Sequence, residues 1–216
     1  MKWIRTLRWR TAQYLELRWW RWYLRGRSPA TYLVDKQAYW QRLLDQLQFT
    51  IDPDAQVLDA GCGPAGVFTL LHDRQRVTAL DPLLPRYVTL PIFSFEAYPT
   101  VTFLPEPLEE ARLHETFSTI YCFNAINHVS DWSQSLDTLT RLARPGTRLI
   151  LSSDVHRHDW LLPIFRALPG DALHPQQHLA ADYRNALSRR GWRIDREQEL
   201  RRERIFSYRA WVCTYA

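Results

Sequence analysis

Val57-Leu58-Asp59-Ala60-Gly61-Cys62-Gly63-Pro64-Ala65-Gly66 sets a short apolar run and a carboxylate ahead of three glycines spaced G-x-G-x-x-G. Val57 and Leu58 suit a strand buried on both faces, and Gly61 and Gly63 allow a tight turn whose backbone comes close to a ligand. Gly66 stands where Val67 to His72 would begin a helix, aiming its N-terminus at that ligand. The stretch reads as a nucleotide-cofactor loop. Three glycines also occur in ordinary loops, so the weight falls on the residues that flank them. A second apolar run, Val77-Thr78-Ala79-Leu80, ends at Asp81-Pro82, about 15 residues past the last glycine and near the offset of an acid that takes a ribose diol.

Asp59 narrows the cofactor. A carboxylate beside a pyrophosphate would be repelled, so an acid two residues ahead of the first glycine argues against a dinucleotide and suits a cofactor that carries positive charge. Read as Asp59-x-Gly61-x-Gly63-x-x-Gly66 followed by Asp81-Pro82, the segment resembles the class I S-adenosylmethionine-dependent methyltransferases, of the kind called type 11 methyltransferase domains. Their cofactor has an ammonium and a sulfonium and no phosphate. The resemblance, which runs from Ala55 to Ser153, implies S-adenosylmethionine held by Asp59, Gly61, Cys62, Gly63, Asp81 and Pro82. It also implies a Rossmann-like α/β fold: a doubly wound, mostly parallel seven-stranded sheet with an antiparallel C-terminal edge strand.

The strand order of such domains can be followed onward. Val101-Thr102-Phe103-Leu104 is expected as the third strand, Phe117 to Cys122 as the fourth and Thr147 to Ser152 as the fifth. Leu136, Leu139, Leu142 and Ala143 recur at helical spacing between the last two, and Arg144-Pro145-Gly146 stops that helix. The alternation of strand and helix argues for a parallel sheet independently of any family. Trp192 to Leu200 and Arg204 to Thr214 read as a closing antiparallel hairpin after a helix around Tyr183 and Leu187. Two departures from the family pattern stand out. The fourth strand opens Phe117-Ser118 where relatives carry Phe-Asp, and the segment after the third strand is Pro105-Glu106-Pro107-Leu108, in which either Glu106 or the Leu108 backbone would read the adenine edge.

A chain of 216 residues suits one α/β domain, expected over 51–216 with a lid-like insertion near 155–180, behind an N-terminal extension over 1–50. Cys62, Cys122 and Cys213 form no metal or redox pair and suit reduced thiols in the cytoplasm. No run approaches the roughly 18 apolar residues of a membrane span, and the N-terminal residues lack the apolar core of a signal peptide. The net charge of +5 is concentrated. Up to Arg27, the basic residues Lys2, Arg5, Arg8, Arg10, Arg18, Arg21, Arg25 and Arg27 face one acid, Glu16, and are interleaved with Trp3, Trp9, Tyr14, Trp19, Trp20, Trp22 and Tyr23. Residues 1–26 therefore read in three ways: a cap over the cofactor cleft, a contact with the anionic inner face of a membrane, or a dock for nucleic acid or a protein partner. Arginines fall among the apolar positions of the helical wheel, so the face reads as mixed.

Ligands in open parallel sheets bind beyond the carboxyl ends of the strands, which places the chemistry in Cys122-Phe123-Asn124-Ala125-Ile126-Asn127-His128. Asn124 suits either the cofactor's amino-acid end or a substrate group, and Asn127 lies beside it. His128, expected one helical turn on, is the candidate base; a histidine that only lines the sheet edge fits the same spacing. A base is needed when an alcohol or neutral amine must lose a proton and is superfluous for a thiolate or carboxylate. His156 and His174 are candidates for the acceptor pocket, with Trp160 to Leu173 as the lid. His156-x-His158 with Asp154 has the residue types of a metal site, but that alternation in a loop is only suggestive, and no metal is expected. The expected activity is transfer of a methyl group to an oxygen or nitrogen of a small or lipid-linked acceptor. A cofactor-binding partner subunit that docks through the Arg/Trp arm and a nucleic-acid methyltransferase remain the alternatives.

Overall fold

The computed structural model describes residues 2–161, 163 and 176–216, with side chains described from residue 9 onward. Five parallel strands, β1 (Gln56–Ala60), β2 (Arg76–Leu80), β3 (Val101–Leu104), β4 (Phe117–Phe123) and β5 (Ala143–His156), are joined by β6 (Trp192–Arg202) and β7 (Phe206–Tyr215). The sheet order is β3-β2-β1-β4-β5-β7-β6. β7 runs antiparallel to both of its neighbours, so the closing hairpin folds back and its second strand lies inside, against β5. The expected seven-stranded, mostly parallel sheet is present.

Period-two alternation splits each central strand between two cores. Val57, Tyr121, Phe123 and Ile150 face one side, packed with α1 (Lys2–Tyr23), α2 (Pro29–Gln46), α3 (Phe68–Leu71) and α4 (Leu84–Tyr87). Leu58, Ile120, Cys122, Leu149 and Leu151 face the other, packed with α5 (Trp132–Arg141) and α6 (Ala180–Ser188). α2 starts at Pro29 with Ser28 as its cap, accepting from the Thr31 amide, and buries Trp40, Leu43 and Leu44.

Several local expectations are revised. The helix after the glycine loop is one turn, Phe68–Leu71, preceded by a 3₁₀ turn at Gly63–Ala65, because Pro64 and Gly66 break the helical path. So short a helix supplies no N-terminal ligand site. Ala143 is the first residue of β5 and not the last of α5, which ends at Arg141. Of the expected lid, only its first residues and Pro163 fall within the described residues. Trp160 is 66% exposed there.

Candidate active site

β1 and β4 are neighbours whose connections leave in opposite directions, which makes the gap above their carboxyl ends the topological switch point of the sheet. The two ends meet at Gly61 and Ala125. Gly61 has φ +72°, and a Cβ there would lie 2.2 Å from the Ala125 Cβ, so both conformation and space demand glycine. Gly63, φ +59°, faces open space. Gly66 has ordinary φ, but a Cβ on it would collide with the Cys62 carbonyl and the Asp59 carboxylate.

A cavity of about 860 Å³ opens at this point. Asp59, Gly61, Cys62, Gly63, Asp81, Pro82, Leu108, Asn124 and His128 all line it. Residues expected from the loop, the end of β2 and the end of β4 are therefore brought to one chamber. Both acids also serve the backbone. Asp59 Oδ2 accepts from the Phe68 amide at 2.9 Å, and Asp81 accepts from the Gly63 amide at 3.0 Å and the Leu83 amide at 2.8 Å. Burial pushes the Asp59 carboxyl up to about 7 against those amide bonds and the nearby Lys36. Asp81 is also pushed to about 7, by burial and then by the Glu16 carboxylate.

Sequence reasoning missed the part of the other wall that α2 supplies. α2 is pinned to the glycine loop by Trp40, whose indole donates to the Ala65 carbonyl at 3.1 Å, and by Gln37, which donates to the Thr69 carbonyl at 2.7 Å. That contact carries Lys36 to the cavity, its ammonium 4.4 Å from the Trp40 ring centroid. Burial lowers Lys36 to about 8, and Asp59 pulls the other way. The available signal was a lone lysine on the apolar stripe Lys36, Tyr39, Trp40, Leu43. α1 adds Trp9, Gln13, Glu16, Trp19 and Trp20 to the wall, and Tyr87 donates to Glu16 Oε1 at 2.8 Å.

At the far end, Asn124 adopts φ +49°, and its amide donates to the Ser152 carbonyl and hydroxyl, each at 3.0 Å. Ser152 Oγ is 2.7 Å from the Tyr208 hydroxyl, which also bonds Tyr39. Burial raises both phenols, so they stay protonated near neutrality. Asp154 and Arg201, 3.8 Å apart, complete this end. The sheet order brings Ser152, Asp154, Arg201 and Tyr208 together, and the packing of α2 adds Tyr39.

Three expected site residues are placed otherwise. Asn127 is buried behind the wall, its amide reaching Asn124 Oδ1 at 3.5 Å. Glu106 turns away to accept from the Arg112 amide at 3.0 Å, closing the 106–112 turn, and buried Glu109 lines the cavity while accepting from Ser130. His156 is 4% exposed, bonded to Gln177 and set against Phe206 outside the cavity. His174 lies outside the described residues. His128 does reach the cavity, on a turn and not a helix. No group of three metal-type side chains converges among the described residues.

Residues 32–203 match a family model described as a methyltransferase domain. A ubiquinone biosynthesis O-methyltransferase of Rickettsia bellii is 27% identical over 116 residues, 53% of this chain and 48% of that protein; the chain spans about half the length of the curated relatives it matches. Among solved structures, magnesium protoporphyrin IX methyltransferase from Synechocystis PCC 6803, with bound S-adenosylhomocysteine, superposes with a TM-score of 0.57 at 22% identity, over 87% of this chain and 84% of that one. The 1,6-didemethyltoxoflavin-N1-methyltransferase of Burkholderia thailandensis, with the same product and its acceptor bound, gives 0.58 at 20% identity, over 85% and 77%.

Proposed function

The chain belongs to the methyltransferase-domain family, and from that premise we propose that it binds S-adenosylmethionine and transfers the methyl group to an oxygen or nitrogen of a small or lipid-linked acceptor. The observation that carries this reading is the continuous cavity joining the glycine loop and Asp81 to Asn124 and His128. The donor set suits the cofactor: carboxylates at Asp59 and Asp81 for an ammonium and a ribose diol, an ammonium at Lys36 for a carboxylate, and a Gly63 with space above it. Leu108 and Glu109 flank the adenine side. When bound, the cofactor supplies an activated methyl on a sulfonium that leaves as a neutral thioether.

The protein's part is alignment and exclusion of water. Asn124, fixed by Ser152 and backed by Asn127, orients the acceptor beside the cofactor. Tyr39, kept protonated and accepting from Tyr208, donates its hydrogen bond to an acceptor oxygen. His128 takes the proton when the acceptor is an alcohol or neutral amine. The three cysteines are free and buried, and burial raises their thiols.

The test is incubation with methyl-labelled cofactor and fractionated extract. Label in a recoverable product, with S-adenosylhomocysteine formed in equal amount, is the expected result. Tight cofactor binding with no transfer in any fraction would reassign the chain to a partner subunit.

A further inference from the structure

We infer that the outward face of α1 docks on an anionic lipid bilayer and that the cavity receives its acceptor from that surface. The helix divides cleanly around its axis once its packing is seen. Ala12 and Leu17, with Leu24 in the turn that follows the helix, are buried, and Trp9, Gln13, Glu16 and Trp20 line the cavity. The opposite side presents Arg10, Tyr14, Arg18, Arg21, Trp22 and Arg25 to solvent, with Tyr14 54% and Trp22 64% exposed. The helical wheel looks mixed because tryptophans lie on both sides, in two different roles.

The outward side carries one sign of charge. Glu16, the acid of this segment, points inward to Tyr87. Among the described residues, Arg10, Arg18, Arg21 and Arg25 make no ion pair with a carboxylate; Arg21 donates to Thr89 Oγ1, and Arg18 lies over the Tyr14 ring. A solvated helix ordinarily mixes signs and keeps large rings inside. Guanidinium groups alternating with exposed indole and phenol on a convex helix match an anionic headgroup plane, where the cations meet lipid phosphates and the rings sit at the boundary. Single-stranded nucleic acid needs an extended groove that tracks its backbone between stacking platforms, and this face offers only a short, shallow depression beside Trp19.

Trp19 links the face to the site. It lines the cavity and also a shallow outer groove formed with Leu15, Arg18, Arg21, Trp22 and Arg25. An acceptor whose head group enters the cavity can therefore leave an apolar tail at the lipid side of that wall. This second step rests on the methyl-transfer reading, whereas docking does not.

The experiment uses the full chain with phosphatidylcholine vesicles containing or lacking phosphatidylglycerol. Cosedimentation is expected with the anionic vesicles, at least tenfold above the neutral ones, and it should weaken as salt rises. Arg18→Glu/Arg25→Glu is expected to lose tenfold or more of that binding, and Trp22→Ala to lose part of it, while thermal midpoint and cofactor affinity stay as in the parent. Equal partition into both vesicle types, wild-type binding by the charge-reversed variant, or capture by an RNA oligonucleotide in preference to vesicles overturns docking. Label from methyl-labelled cofactor is expected in the lipid fraction of a membrane extract; label only in the aqueous fraction overturns delivery and leaves docking standing. Loss of cofactor binding by the parent would count against methyl transfer alone.

Discussion

Gly61 and Gly63 share a left-handed backbone and differ in what stands over them, so the same substitution should report on different properties. Gly61→Ala puts a methyl into Ala125 as well as a residue into strained φ, and is expected to destabilise the fold by about 2–4 kcal/mol, read as a lowered denaturation midpoint. Gly63→Ala meets nothing in the protein and should cost only about 1 kcal/mol, yet lose cofactor affinity because its methyl enters the space above the loop. Equal loss of stability in both would refute this assignment. At Asp81 the structure alters a simple expectation, because the carboxylate holds the Gly63 and Leu83 amides besides facing the cavity. Asp81→Ala therefore loosens the loop as well as the ligand contact. Asp81→Asn keeps an acceptor for one amide and should weaken cofactor binding about tenfold with a smaller loss of stability; calorimetry and a melt on the same sample separate the two. The glycine loop was legible because glycine and acid spacing records backbone geometry directly. Glu106 was misread because adjacent prolines hide which side chain turns inward, and that is settled by a hydrogen bond to Arg112 that no spacing reveals.

At the scale of elements, strands were read more surely than helices. β1, β2, β4 and the middle of β5 are buried on both faces and therefore show as apolar runs, whereas the segments between β2 and β4 carry only one-turn helices without room for a period. At the acceptor end only Asn124 and His128, at the close of β4, were legible. That end is built where β4, β5 and β7 come side by side, and Ser152, bonded to both Asn124 and Tyr208, joins them. Ser152→Ala removes the hydroxyl that links the Asn124 amide to Tyr208 and leaves the amide its bond to the backbone carbonyl of residue 152 and the phenol its bond to Tyr39, at a cost of about 1 kcal/mol. With Asn124 on the acceptor side, as proposed, the rate of transfer should fall by tenfold or more while cofactor affinity changes less than twofold. A variant that loses affinity and keeps its rate would place Asn124 on the cofactor instead. α1 illustrates the other limit of sequence reading: its two faces differ in what they pack against, and composition around the wheel cannot distinguish an inward tryptophan from an outward one.

For the whole molecule, the buried charges set a pH dependence that depends on ligand. Asp59 and Asp81 are near 7 in the folded state and 3.8 as the ordinary value, so the native form holds more protons than the unfolded chain between those limits. Their contribution to stability is full below about pH 4 and declines as pH rises to 7. Lys36, lowered from 10.5 to about 8, gives the opposite slope above pH 8, where the unfolded chain binds the extra proton. The contribution of these groups to ligand-free stability should thus be least near pH 7 to 8. A bound ammonium drives Asp59 to its charged form and a bound carboxylate does the same for Lys36. Cofactor binding should therefore release protons near pH 6.5 and take them up near pH 8.5, which calorimetry in buffers of different ionisation heat measures. Uptake at the lower pH would show that the acids do not meet the cofactor's cation. The sheet has a further consequence during synthesis. β7 follows the other six strands of the sheet in the chain, yet it pairs with β5 on one side and β6 on the other. Until it leaves the ribosome, nine backbone positions of β5 from Arg148 to His156, including apolar Leu149, Ile150 and Leu151, form an open edge that a neighbouring nascent chain can pair with. Yield in a cell should depend on how quickly that stretch is translated and how well chaperones shield the edge before it arrives.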